Sequence, residues 1–488
     1  MKVCIIAEGC YPYVIGGVSS WIHSMIKSFP NIEFILVTII SDRSTSGKFT
    51  YELADNLTEV YEVYLQDVDW VGHSKNKKNR IRLKKRETEA LRSLVIGEDV
   101  DWVNVFRLFN RKNISVNNLL MSPQFLEITK EYYNLKYVNI TFSDFLWTLR
   151  SIYLPLFLTL KFVPPRADIY HCVSTGYAGI IGSKAVSLYT DARLLISEHG
   201  IYTREREEEI IKAKWVQSIY KGIWIDQFKK MSSGAYFFAD LVTSLFEQAQ
   251  SLQLELGCPI SKAIITPNGI NTENFKNIPK KDKDDPYIHV GAILRVTPIK
   301  DVKTMITAFY YAHKKEPRLK LWIMGPVDED PQYADECFGL VKTLNAENIE
   351  FTGRINTMDY IGRMDMTILT SISEGQPLTI LEGFAAKKPC IATNVGNCYG
   401  LIHGENDPFG AAGIVVSVMN ISEISGAILK LAGDPKLIRQ MGENGYRRLM
   451  YKYKNEYMVD TYRKIYMTLA EMSKAAYTEE LLSIANNR

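Results

Sequence analysis

Short continuous apolar runs, each closed by a polar or glycine-containing loop and followed by apolar residues three and four apart, recur along this chain. Lys2 to Ala7, the loop through Gly16-Gly17, and Val18 to Ile26 read as strand, glycine loop and helix, with Glu33 to Ile40 as the next buried strand. Further strands are expected at Ile169 to Val173, Arg193 to Ser197, Leu241 to Ser244 and Ala263 to Pro267, with helices at Thr175 to Leu188 and Arg204 to Met231. Lys276 to Pro286 is charged, holds two prolines and lacks apolar periodicity, so it reads as a linker. A second series follows, with strands at His289 to Ile293, Leu319 to Met324, Ile349 to Thr352, Met366 to Thr370, Pro389 to Thr393 and Gly413 to Val416. Asn455 to Met472 has helical spacing. Strands alternating with helices predict parallel α/β domains.

Between residues 41 and 150 the alternation degrades, which predicts an insertion into the first domain. The expected boundaries are 1–276 for the first domain and 287–459 for the second. Lys75 to Arg86 is strongly basic. It reads either as a solvated face or as a docking surface for anionic lipid or an acidic partner.

Composition changes this picture little. With 488 residues, 46% of them hydrophobic and 23% charged, there is room for two or three globular domains, and a net charge of +3 does not call for nucleic acid. Seven scattered cysteines without a C-x-x-C pair fit reduced thiols in a reducing compartment. Val3 to Ala7 is too short for a signal-peptide core, and Ser151 to Leu160, broken by Pro155, is too short to span a bilayer. A cytoplasmic protein is expected.

The candidate chemistry follows two strands of the second series. Arg295 and Lys300 lie just past His289 to Ile293, where two cations suit a diphosphate. Glu374 and Glu382 bracket a Gly-x-Pro break, Gly375-Gln376-Pro377, between the strand ending at Thr370 and a helix from Leu378 to Ala386. The N–H groups of Gly375, Gln376, Leu378 and Thr379 are candidate phosphate donors, because a helix start favours anions. A carboxylate beside such a site suits a ligand with hydroxyls next to its phosphates. Taken alone, the same pair also reads as an acidic cap and a solvated helix glutamate. In the first series Gly16-Gly17 lets backbone approach a ligand or simply makes a turn. His199 and His171 stand at strand ends, where open α/β sheets place ligands, although lone histidines also serve packing. Arg204 and Arg206, interleaved with Glu205 and Glu207, read as a solvated ion-pair face or an acceptor-side segment. Asp328, Glu329 and Asp330 resemble a cation site but read better as an exposed acidic loop.

Arg295, Lys300, Glu374 and Glu382 resemble the donor-site pattern of the retaining GT-B glycosyltransferases of family 4. The stretches Glu8 to Trp21, Asp168 to Gly179 and Glu198 to Arg206 are similar to the PelF-like glycosyltransferases of Pel exopolysaccharide synthesis. The resemblance implies two Rossmann-like domains facing across a cleft, with residues 460–488 packing back on the first domain. It implies transfer of a hexosyl unit from a nucleotide diphosphate sugar, a uridine diphosphate sugar, to a growing polysaccharide or other sugar acceptor. His199, Arg295, Lys300 and Glu374 are then the catalytic set, and Glu382 takes the ribose diol. Gly16, Gly17 and the 375–379 backbone meet the donor, with His171 and Arg204 on the acceptor side. No metal or other cofactor is expected, and membrane-embedded Pel synthase subunits are the expected partners, at the inner face of the membrane. A nucleotide-sugar epimerase and a non-catalytic sensing subunit are the alternatives.

Overall fold

In the computed structural model the described residues are 1–488 apart from Asp42, 67–80, Asn113 and 487–488; side chains are described up to residue 473. The chain forms two compact units, one of residues 1–244, 250–265 and 463–488, the other of residues 245–249 and 266–462.

The first unit is built on seven strands: β1 (Lys2–Glu8), β2 (Glu33–Ile40), β3 (Leu57–Tyr64), β4 (Ile169–Cys172), β5 (Arg193–Ser197), β6 (Leu241–Ser244) and β7 (Ala263–Ile265). All pair in parallel, in the order β3-β2-β1-β4-β5-β6-β7. Helices cover both faces, so the inner strands are apolar along nearly their whole length, as in the burial of Phe34 to Ile40. Each such side chain withdrawn from water contributes about 1.5–3 kcal/mol to folding.

The second unit has six parallel strands: β8 (Ile288–Ile293), β9 (Leu319–Met324), β10 (Ile349–Gly353), β11 (Met366–Leu369), β12 (Cys390–Thr393) and β13 (Gly413–Val416), in the order β10-β9-β8-β11-β12-β13. In each sheet the direction of strand addition reverses once, at β1/β4 and at β8/β11. Ligands of open parallel sheets bind outside the carboxyl ends of the strands at such a reversal. The topology therefore selects two loop pairs: those after β1 and β4, and those after β8 and β11.

Two expectations are corrected. Arg204 to Met231 is not one helix: Tyr202–Lys212 and Ser218–Phe238 are separate, and Ala213 leaves the helical region at ψ 121°. The first is mostly charged and buries only Tyr202, Thr203 and Ile210, whereas the second buries residues along its length, so no common apolar stripe joins them. The region 41–150 is not wholly an insertion either. Leu57–Tyr64 is the edge strand β3, and helices at Lys85–Val95, Trp102–Phe109, Val116–Leu120, Pro123–Lys136 and Phe142–Lys161 bury Leu91, Phe106, Phe125 and Phe157 in the core of the first unit. Pro155 is accommodated inside the last of these helices. Of the basic run, residues 75–80 lie outside the described residues. Among the described residues no helix is long and apolar enough to cross a membrane.

Candidate active site

The loops after β8 and β11 are stitched together by short-range chemistry. Beyond β8 the chain makes a single 3-10 turn, Pro298–Lys300, and reverses at Asp301, whose φ of 47° is left-handed. The Thr370 hydroxyl, at the end of β11, donates to the carbonyls of Lys300 (3.0 Å) and Asp301 (3.2 Å), and Ile372 N–H donates to Ile299 O at 2.8 Å. These bonds bring Lys300 Nζ to 2.5 Å from Glu374 Oε1, which also accepts from the Ser371 hydroxyl at 2.5 Å. Both charged side chains keep some solvent access, 16% for Lys300 and 11% for Glu374.

The loop after β12 supports this pair from beneath. Asn397 N–H donates to Gly375 O at 2.9 Å, and the Thr393 hydroxyl donates to Ser371 O at 2.6 Å. Gly396 has φ +50°, and a Cβ there would lie 2.3 Å from Glu374 O, so only glycine allows this approach. The helix Leu378–Ala385 starts at Pro377 with no side-chain cap, which leaves its first N–H groups, with Leu378 and Thr379 half-exposed, open to an anion. Gln376 turns its side chain inward, where Oε1 accepts from Asn268 N–H at 2.7 Å. The buried atoms Gln376 Nε2, Asn268 Oδ1 and Asn397 Oδ1 have no hydrogen-bond partner. Glu382 lies one turn into the helix, half-buried, and desolvation pushes its carboxyl up to about 7.

Arg295 is placed differently from Lys300. Its guanidinium is half-exposed and meets Glu329 at 2.8 Å rather than Glu374. Asp328 faces Arg354 at 3.6 Å and Asp330 caps the helix Pro331–Leu344, so the members of the acidic triplet make three separate contacts. Among the described residues no group of three or more His, Cys, Asp or Glu is arranged to hold a metal ion.

In the first unit, Glu8 ends β1 and accepts from Tyr202 Oη at 3.0 Å and Tyr177 N–H at 3.1 Å. Burial raises its carboxyl above the usual range despite nearby Arg206. Glu198, directly after β5, accepts from Thr175, Tyr202 N–H, Tyr236 and Gln253. His199 packs edge-on against Trp21 at 4.4 Å between ring centres. Its buried Nε2 has no hydrogen-bond partner, and desolvation lowers its pKa to about 4, so it is neutral near pH 7. Gly16 and Gly17 open the helix Gly17–Ser28, with open space where a Cβ would stand.

His171 is a packing residue. It is fully buried in β4, with Nδ1 bonded to Tyr466 Oη (2.7 Å) and Nε2 to Ser197 Oγ (2.8 Å), which leaves the ring no nitrogen for a ligand. Arg204 is exposed and faces Glu208 at 3.7 Å, the solvated ion-pair arrangement. Glu8, Tyr177 and Tyr202 were not singled out from sequence. The available signal was a lone carboxylate closing an otherwise apolar strand, which Glu8 and Glu198 share.

The family model described as "Domain of unknown function (DUF3492)" matches residues 1–261, and that described as "Glycosyl transferases group 1" matches residues 271–448. An uncharacterized glycosyltransferase of Methanocaldococcus jannaschii is 28% identical over 215 residues, covering 43% of this chain and 55% of that protein. The capsular polysaccharide biosynthesis glycosyltransferase CapM of Staphylococcus aureus is 24% identical over 215 residues, covering 42% and 54%. The chain thus spans about half the length of the curated relatives it matches. Among solved structures, Anabaena HepE in complex with UDP and glucose aligns over 96% of this chain and 99% of its own, with a TM-score of 0.59 and 12% identity. That likeness is one of fold: two Rossmann-like parallel-sheet domains of the α/β class.

Proposed function

We propose that this chain, which belongs to the DUF3492 family and carries a glycosyl transferases group 1 domain at residues 271–448, is a glycosyltransferase of exopolysaccharide synthesis. It moves a hexosyl unit from a uridine diphosphate sugar to a growing glycan, with retention at the anomeric carbon. The carrying observation is the half-buried Lys300–Glu374 pair beside an uncapped helix start, with Glu382 one turn further on. A cation and free amide groups match the phosphates of such a donor, and a carboxylate with solvent access matches its hydroxyls.

In this reading Lys300 and the N–H groups of Leu378 and Thr379 take charge as the diphosphate departs, which is where stabilisation lowers the barrier most. Arg295 adds a second cation, Glu374 orients the transferred sugar's hydroxyls and Glu382 accepts the ribose diol. His199, neutral and with a free buried nitrogen, keeps the capacity for a hydrogen bond to a sugar hydroxyl. Glu198 is occupied by four donors and is a poor nucleophile. A front-face displacement, with the leaving phosphate accepting the acceptor's proton, therefore fits better than a covalent intermediate. The finer reading places the enzyme with the PelF-like proteins, in the cytoplasm, working with membrane-embedded synthase subunits.

A thermal-shift panel of nucleotides and nucleotide sugars tests the donor, since a ligand bound only by the native state raises Tm. Uridine diphosphate sugars are expected to shift the transition. The reading fails if no nucleotide diphosphate does so, or if a glycosyl adduct is trapped on a first-unit carboxylate.

A further inference from the structure

The loop after β9 carries a carboxylate that the proposed reaction leaves unused. Past the ends of β8 and β9 the backbones stay laced: Leu294 N–H donates to Met324 O at 3.0 Å and Val296 N–H to Pro326 O at 2.9 Å. Gly325 makes this approach possible, since its φ is +151° and a Cβ there would lie 1.9 Å from Leu294 O. Five residues on, Asp330 accepts from Tyr333 N–H at 3.0 Å and fixes the start of the helix Pro331–Leu344. Glu329 is thus held between a laced loop and a capped helix, and its Oε2 accepts from Arg295 Nη1 at 2.8 Å. Its neighbour Asp328 faces the other way, to Arg354.

We propose that Glu329 is a positioning residue that holds Arg295 while no donor is bound and then competes with the diphosphate for it. The inference rests on the reading of Arg295 as a phosphate-binding group. A half-exposed ion pair of this kind is weak and salt-sensitive. A diphosphate brings more negative charge than one carboxylate, so it draws the guanidinium away from Glu329. The separated carboxylate then stands beside the bound nucleotide at like charge. Binding is loosened and release of the spent nucleotide is quickened, which is useful where nucleotide departure follows every transfer.

The test uses uridine diphosphate as probe and the full chain, with affinity and dissociation rate measured at low and high salt. Arg295→Ala is expected to weaken binding about tenfold, the loss of one charge-assisted contact. Glu329→Gln is expected to tighten it about threefold at low salt, through slower dissociation, with the gain vanishing at high salt. Glu329→Asp keeps the charge and should restore wild-type behaviour, and Glu329→Gln should have no effect in the Arg295→Ala background. If Arg295→Ala weakens binding but Glu329→Gln leaves it unchanged or weaker, the role given to Glu329 is wrong and the donor reading stands. If Arg295→Ala leaves binding unchanged, Arg295 does not meet phosphate, and the inference falls with that assignment.

Discussion

Two of the second unit's ion pairs have opposite characters. The Arg448 and Asp407 side chains are buried, at 1% and 3% exposure, and saturated: the guanidinium meets both carboxylate oxygens at 2.6 and 2.9 Å and also donates to the carbonyls of Leu401, Ile402, His403 and Gly410. Lys300 and Glu374 share one contact, keep solvent access and sit beside amides with unmet hydrogen-bonding capacity. A saturated charge binds the fold together and has nothing left to offer a ligand. An unsaturated one at the end of a strand is held in place by its loops but keeps valence for something else.

Arg448→Met breaks this contrast most severely. Removing one partner of a buried pair leaves Asp407 uncompensated and costs roughly 3–5 kcal/mol. Denaturant unfolding should show the loss, while the folded fraction keeps its nucleotide affinity. Lys300→Ala should do the reverse. Turnover falls about 10²–10³-fold, the range for deleting one electrostatic group at a leaving anion. The midpoint of unfolding changes little, because the pair is partly solvated. A Lys300→Ala variant with wild-type turnover would show that the pair is structural after all.

The first unit repeats the contrast in adjacent residues. Glu198 is saturated by four donors, whereas His199 next to it has a free buried nitrogen. Glu198→Ala strands buried donors and is expected to cost about 2–3 kcal/mol, with Glu198→Gln recovering part of it. Chemical denaturation of the two variants checks this. Equal stability of Glu198→Ala and wild type would remove Glu198 from the structural class.

How much of this could be read beforehand follows from the same distinction. Strands of a parallel sheet buried on both faces are near-continuous apolar runs, so β1 and β2 stand out. Edge strand β3, Leu-Thr-Glu-Val-Tyr-Glu-Val-Tyr, is neither a continuous apolar run nor a strict alternation, so it is lost in a region of weak pattern. The break near Trp215-Val216 has no proline or glycine to announce it. At the site, Lys300 and Glu374 were legible because each follows a strand within one loop. Arg295–Glu329 was not, since Glu329 belongs to an acidic triplet whose members diverge only in three dimensions. Glu8–Tyr202 joins residues 194 apart in sequence, and no local spacing encodes it.

Glu382 sharpens the comparison with the smallest effect. Its carboxyl titrates at about 7 in the folded chain, raised by desolvation, against an ordinary value of 4.5. Between those two values the folded state holds a proton that the unfolded chain has released. Stability therefore falls as pH rises through this window, and the loss is complete above pH 7. Glu382→Gln removes the titration, so its Tm should match wild type near pH 4.5 and exceed it by about 2–4 °C at pH 8. Nucleotide binding should move the opposite way. An ionised Glu382 accepts from a ribose diol better than a protonated one, so wild-type affinity for a uridine diphosphate sugar, whose phosphates do not titrate in this range, rises from pH 6 to pH 8, while that of Glu382→Gln stays flat. A carboxylate that loosens the fold on ionising and tightens the ligand at the same step is held for binding. Matching pH profiles in the two proteins would return Glu382 to an ordinary helix glutamate.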